Sequence, residues 1–262
     1  MQRDTPNGPR PTDVYFFATC LVDLFCPEAG IDAIALLERE GITVHFPKDQ
    51  TCCGQPAYTS GFADSARRVA LTQMQLFPQD WPVIVPSGSC AGMMRHHYPK
   101  LFADRPELKA QAEALGERVF ELAEFLLNVL KVKWHEDGRD RGEPVTLALH
   151  TSCTARREMG TFEHGRALLG QLSGVTIVTQ VREAECCGFG GTFSLKLPAI
   201  SAAIAGDKAD ALKASGAQAF VSADCGCLLN INHTLQKRGD ALPGKHLATF
   251  LRERLAGPED KR

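Results

Sequence analysis

The chain has no long apolar run, no block of basic residues and no C-x-x-C knuckle of the kind that usually announces thiol-bound zinc. The longest apolar stretches, such as residues 81–86 (WPVIVP), fall far short of the roughly 20 residues a membrane-spanning helix needs. Residues 1–12 are polar and proline-rich and lack the apolar centre of a signal peptide, so a cytoplasmic protein without membrane insertion is expected. The formal net charge is −2, and the missing cationic footprint argues against nucleic acid as a partner. No Ser-His-Asp or Cys-His nucleophile set, convincing carboxylate pair or phosphate loop is evident, so no catalytic residue is assigned. The stretch Gly188-Phe189-Gly190-Gly191 does not match the spacing of the dinucleotide fingerprint, and no flavin or nicotinamide motif is present.

Cysteine is what the chain has in excess. Cys20, Cys52-Cys53-Gly54 and Cys90 recur as Cys153, Cys186-Cys187-Gly188 and Cys227, at offsets of 133, 134 and 137 residues. Eight of the ten cysteines fall in this frame, which speaks against scattered buried thiols. In a reducing compartment, cysteines at this density point to metal or redox work rather than to structural disulfides. Neighbouring cysteines also have alpha carbons only about 3.8 Å apart, below the disulfide range of about 4.4–6.8 Å.

With 262 residues, 44% of them apolar, the chain has room for two globular domains of about 130 residues each. The expected divisions are 13–134 and 145–256, joined by a polar linker at 135–144 (HEDGRDRGEP). Each half reads as strand, helix, strand, Cys-Cys-Gly, helix, strand. The strands are expected at 14–18, 42–46 and 83–85, then at 145–149, 175–179 and 219–221. The helices are expected at 29–40 and 61–76, then at 165–172 and 199–214, with Gly41 and Gly174 as stops. Each half closes on a similar helix, beginning Glu121-Leu-Ala and His246-Leu-Ala. The first half alone carries a helix-rich insertion at 97–116. This alternation predicts an α/β fold of two pseudo-symmetric parallel-sheet, Rossmann-like halves. Each half then carries its Cys…CCG…Cys site at the C-terminal ends of the strands, where open parallel sheets bind ligands. Two such crevices either face each other or share one cleft.

Soft thiolates select zinc, copper(I) or iron–sulfur clusters. Four thiolates from one half can hold a tetrahedral zinc or a cluster. An adjacent pair plus two distant single cysteines favours the cluster, because different irons can take different thiolates. The Gly-rich turn after Cys187 can aim amide N–H groups at sulfur, or it can be an ordinary tight loop. His150 reads as a donor to a cluster sulfur, as a neutral ligand, or as a plain strand-end residue. His96 and His97 read as insertion features, and His246 as a helix start.

The stretches Thr51-Cys-Cys-Gly-Gln-Pro, Ser87-Gly-Ser-Cys90, His150-Thr-Ser-Cys153, Cys186-Cys-Gly-Phe-Gly-Gly and Asp224-Cys-Gly-Cys227 resemble the cysteine-rich (CCG) domain iron–sulfur proteins, in particular the lactate-utilization members. The resemblance runs over about 14–255. It implies one or two [4Fe-4S] clusters held by Cys20, Cys52, Cys53, Cys90, Cys153, Cys186, Cys187 and Cys227. It also implies an electron-carrying subunit, partnered by two other lactate utilization proteins in a complex that oxidises L-lactate to pyruvate. Related domains in the heterodisulfide reductases carry a C-x-x-C and noncubane clusters that act on disulfides. Here Met93 and Asn230 stand where the additional cysteine of that pattern would be. Three readings follow: an electron carrier, thiol–disulfide catalysis at a noncubane cluster, or a scaffold with zinc in one half. Cys26 and Cys225 stand outside the frame, as further ligands or as buried thiols.

Overall fold

The computed structural model describes residues 9–135 and 142–256. The expected linker at 135–144 falls largely outside the described residues, as do the first eight residues and the tail at 257–262. Two four-stranded sheets carry the architecture. The first comprises β1 (Asp13–Phe16), β2 (Thr43–His45), β3 (Val83–Val85) and β4 (Val119–Glu121), in the order β2-β1-β3-β4. The second comprises β5 (Val145–Leu149), β6 (Val175–Val178), β7 (Ala219–Ser222) and β8 (Gly244–His246), in the order β6-β5-β7-β8. Every pairing is parallel. Strands such as VIV at β3 are apolar throughout and buried throughout, as a sheet covered on both faces requires. The fold is therefore α/β with two pseudo-symmetric halves.

The topology positions the site. From β1 the chain crosses to β2 on one side and then returns to β3 on the other. The crevice at that reversal, beyond the strand C-termini, is where such sheets bind ligands. Cys20, Cys52-Cys53 and Cys90 follow β1, β2 and β3, and their counterparts follow β5, β6 and β7.

One apolar core runs through both halves, joining Phe16, Ile84 and Trp134 to Leu147, Val221 and Leu251. The helix Leu247–Leu255 packs on Pro27–Arg39, while Leu122–Glu124 packs on Thr161–Leu169. These two contacts exchange when the halves exchange, which is the signature of a pseudo-two-fold axis.

Several expected elements shift. Gly41, at φ 79°, does stop the first helix, which spans Pro27–Arg39. The helix expected at 165–172 instead runs Thr161–Leu169, because Gly160 at φ 62° separates it from Cys153–Met159 and starts it early. The fourth strands, β4 and β8, are a correction: Val-Phe-Glu and Gly-Lys-His are not apolar runs of the kind that marks the other strands. Each is pinned from the helix that follows the last cysteine segment. Arg95 Nε donates to the Val119 carbonyl at 3.1 Å, and Asn232 Nδ2 donates to the Gly244 carbonyl at 3.0 Å. The insertion follows a π-helical turn, Met93–His97, and is built from Tyr98–Leu101 and Pro106–Arg118.

Candidate metal centre

The four single cysteines all lie in the first turn of a helix. Cys20 opens Cys20–Phe25 and Cys153 opens Cys153–Met159, while Cys90 and Cys227 are each third in Gly88–Gly92 and Cys225–Arg238. The unpaired amides of a first turn favour anionic sulfur. The placement is local in origin for two of them. The side chains of Thr19 and Ser152 accept from the Val22 and Ala155 amides at 3.4 and 3.3 Å, so each is an N-cap one residue before a cysteine.

The adjacent pairs sit in the loops after β2 and β6. Gly54 (φ 85°) and Gly188 (φ 82°) adopt the left-handed conformation that turns their amides back onto sulfur. Gly54 N–H donates to Cys52 Sγ at 3.4 Å, and Gly188 N–H donates to Cys186 Sγ at 3.3 Å. A Cβ at 188 would stand 2.5 Å from the Ser201 carbonyl oxygen, so only glycine fits. The carbonyl of each second cysteine is also held: Tyr98 Oη donates to Cys53 O at 2.9 Å, and Asn230 Nδ2 donates to Cys187 O at 2.8 Å.

Within each half the sulfurs meet in the same order. Cys20 contacts Cys52, Cys52 contacts Cys53, and Cys53 contacts Cys90. Likewise Cys153 contacts Cys186, Cys186 contacts Cys187, and the Cys187 thiol donates to Cys227 Sγ at 3.0 Å. Hydrogen bonds from Cys20 and then Cys53 hold Cys52 well below the usual thiol range. The contact with Cys52, followed by burial, pushes Cys20 up, and contacts with Cys52 and Cys90 push Cys53 up. In the second half the Cys186 contact and then burial push Cys153 up. Packed thiols of this kind cannot all ionise without a cation among them, because each new thiolate repels the others.

The two sets share one cleft. All eight cysteines line a single cavity of about 630 Å³ between the halves. Among its lining residues is a junction across the pseudo-axis: Asp224 accepts from Ser87 Oγ at 2.7 Å and from Ser89 Oγ at 2.6 Å. Beside it His246 Nδ1 accepts from the Ala248 amide at 3.1 Å, so Nε2 carries the proton and donates to Pro86 O at 2.9 Å.

Cys26 and Cys225 do not join either sulfur chain; they hydrogen-bond each other across the halves, with Cys225 buried. His96 and His97 both reach Glu158 of the second half, His97 Nε2 lying 2.8 Å from its Oε1. His150 is fully buried, and one of its ring nitrogens lies with Cys187 Sγ and Cys227 Sγ in a group whose members are all within 4.8 Å of one another. Burial, then the Lys208 ammonium, lowers its pKa to about 3, so the imidazole is neutral. Sequence reasoning missed Lys208, whose buried ammonium donates to the Arg182 carbonyl at 2.9 Å and secures the loop before Cys186. A lone lysine in a helix carries no signal of that role.

The cysteine-rich domain (CCG) family matches the chain twice, over residues 14–95 and 147–232, one match on each four-cysteine set. The chain belongs to the cysteine-rich (CCG) domain family. Among its CCG relatives, the lactate utilization protein A of Shouchella clausii is 41% identical over 239 residues, covering 91% of this chain and 98% of that protein. The lactate utilization protein A of Exiguobacterium sp. is 41% identical over 245 residues, covering 92% of this chain and 97% of that protein. A solved structure of a hypothetical protein from Helicobacter pylori superposes with a TM-score of 0.66 at 12% identity, which shows a shared fold. That alignment covers 98% of this chain and 52% of the other, so the chain spans about half of that longer protein. No helix among the described residues is long and apolar enough to cross a membrane. The donor set of this CCG protein, thiolates at helix starts with amides turned onto sulfur, fits a soft metal ion or an iron–sulfur cluster.

Proposed function

We propose that this chain is the iron–sulfur electron-transfer subunit of a complex that oxidises L-lactate to pyruvate. The observation that carries the reading is the doubled four-sulfur set on one shared cavity, in a chain whose relatives are named lactate utilization protein A. Cys20, Cys52, Cys53 and Cys90 would hold one [4Fe-4S]-type cluster, and Cys153, Cys186, Cys187 and Cys227 a second. When bound, the clusters supply one-electron redox chemistry. The chain's own residues supply the rest. Gly54 and Gly188 direct amide N–H groups at sulfur, which stabilises a reduced, more negative centre. The Asp224–Ser87–Ser89 junction keeps the two sets at a constant separation.

Substrate oxidation itself would take place in other components of the complex, since the sequence offers no flavin or nicotinamide motif here. Two partner proteins and a cytoplasmic setting belong to the same proposal; a reducing compartment keeps cysteines available to metal rather than paired as disulfides.

A second reading, disulfide chemistry at a noncubane cluster, is favoured by one feature: both sulfur sets open onto a common cavity with room for a small ligand. The deciding measurement is iron, sulfide and zinc content on anaerobically purified protein, with visible absorption and paramagnetic resonance on the same sample. About four or eight irons with matching sulfide are expected. Zinc without iron after anaerobic reconstitution would sink the electron-carrier reading, and turnover of a disulfide by the isolated chain would favour the second.

A further inference from the structure

The second half holds a buried histidine that its surroundings do not account for. His150 follows β5, and its amide donates to the Val221 carbonyl at 2.8 Å, which fixes its backbone in the sheet. Its side chain is fully buried, and among the described residues neither Nδ1 nor Nε2 has a hydrogen-bond partner. A neutral imidazole carries one N–H and one bare nitrogen, so burial leaves a donor and an acceptor both unsatisfied. Native interiors rarely tolerate this unless the group has a further task.

The same molecule shows what a structural histidine looks like at such a position. His246 is also buried, yet both its nitrogens are engaged, one by the Ala248 amide and the other by the Pro86 carbonyl. The fold does not need a histidine at 150 either. The first-half counterpart is Phe17, also fully buried, whose amide makes the matching bond to the Ile84 carbonyl at 2.9 Å. Phe17 sets its ring edge-on against Phe77, with centroids 6.3 Å apart, and offers no donor to the first sulfur set.

What lies beside His150 is sulfur. A ring nitrogen, Cys187 Sγ and Cys227 Sγ are mutually within 4.8 Å, and the two sulfurs stand 3.0 Å apart. A metal ion bound at about 2.1 Å to nitrogen and about 2.3 Å to sulfur in a tetrahedral site keeps its ligand atoms under about 4 Å apart. The triangle meets that requirement with small side-chain adjustments.

We propose that His150 is a nitrogen ligand of the second-half metal centre, beside Cys187 and Cys227, while the first-half centre is held by sulfur alone. This rests on reading the cysteine sets as metal centres. The two centres are then chemically distinct. A neutral imidazole among thiolates leaves the centre less negative, and histidine ligation of an iron–sulfur centre raises its reduction potential. Electrons entering the chain would settle in the second half.

The test uses the full chain, purified anaerobically, unlabelled and with 15N-histidine. Pulsed paramagnetic resonance on the reduced protein should show a strong nitrogen coupling that changes with the isotope. The coupling should be lost in His150→Phe, which gives the second half the first half's residue. The labelling needs no variant, so a His150→Phe protein that fails to fold leaves the test intact. If the protein holds zinc, absorption at the zinc edge should show one nitrogen among sulfur ligands. Iron or zinc with no nitrogen ligand would overturn the assignment of His150 while leaving the metal-centre reading standing. A chain that binds neither metal would overturn both.

Discussion

The two halves of this protein repeat a frame and differ in several of the side chains placed around it. Four sulfurs meet in the same order, two glycines turn amides onto sulfur, and single cysteines start helices in both. Around that frame, matching places hold different side chains. Phe17 stands against His150, Ser87 against Asp224, Gly88 against Cys225, Arg95 against Asn232, and Glu121 against His246. On the function proposed above, the frame is what binding requires, and the substitutions around it are where two centres would acquire separate properties.

The largest expected effect asks whether the two sets act independently. Cys53→Ser and Cys187→Ser should each remove the iron of one half and leave the other, read as about half the wild-type iron and visible absorption. If either variant empties the protein, the sets hold one shared centre and the comparison between halves collapses.

Next comes the anchor of the fourth strand, which is ionic in one half and neutral in the other. Arg95 pairs with Glu124 at 2.7 Å in the interior, whereas Asn232 makes a pair of neutral bonds to the backbone of Gly244. Arg95→Met strands a buried carboxylate and should cost about 3–5 kcal/mol in chemical denaturation. Asn232→Ala should cost about 1–2 kcal/mol. Equal losses would mean that the ion pair adds nothing beyond its hydrogen bonds.

The caps of the two closing helices should respond to pH in opposite directions. Burial raises the pKa of Glu121 to about 8, so the folded state holds a proton that the unfolded chain releases near 4.5. Its contribution is complete below about 4.5 and is lost as pH rises towards about 8. Burial lowers the pKa of His246, so its contribution is present above the ordinary value of 6.5 and is lost as pH falls below it. Glu121→Gln should flatten the alkaline side of a denaturation-midpoint profile, and His246→Gln the acid side. A variant that moved both limbs would show that the caps are coupled.

The smallest effect concerns the thiols outside the frame. Cys26→Ala should leave the iron content of both halves unchanged, since Cys26 meets only Cys225 among the cysteines. Iron lost from the second half would mean that it is held in part from across the pseudo-axis.

Much of this was legible before any fold was seen. Strands β3 and β5 stand where the apolar runs at 83–85 and 145–149 predict them. The parallel topology follows from alternation of strand and helix, and the cysteines fall in the segments after strand ends because each frame cysteine lies beyond an apolar run and before the next helix pattern. β4 and β8 were not legible, because VFE and GKH carry no apolar run and are pinned by Arg95 and Asn232 from elsewhere in the chain. The start of Thr161–Leu169 was missed because a glycine inside a helical pattern does not declare its φ.

The sequence by itself determined the repeat, the eight-sulfur frame and the glycines that follow each pair, since these depend on covalent spacing and local conformation. Only the tertiary structure decided that both sets line one cavity, that Cys26 and Cys225 meet each other across the halves, and that His150 stands unpartnered beside Cys187 and Cys227. Those facts are distances between segments far apart in the chain. They arise when two sheets pack about a pseudo-axis and one core closes across both, and no local pattern in the sequence records them.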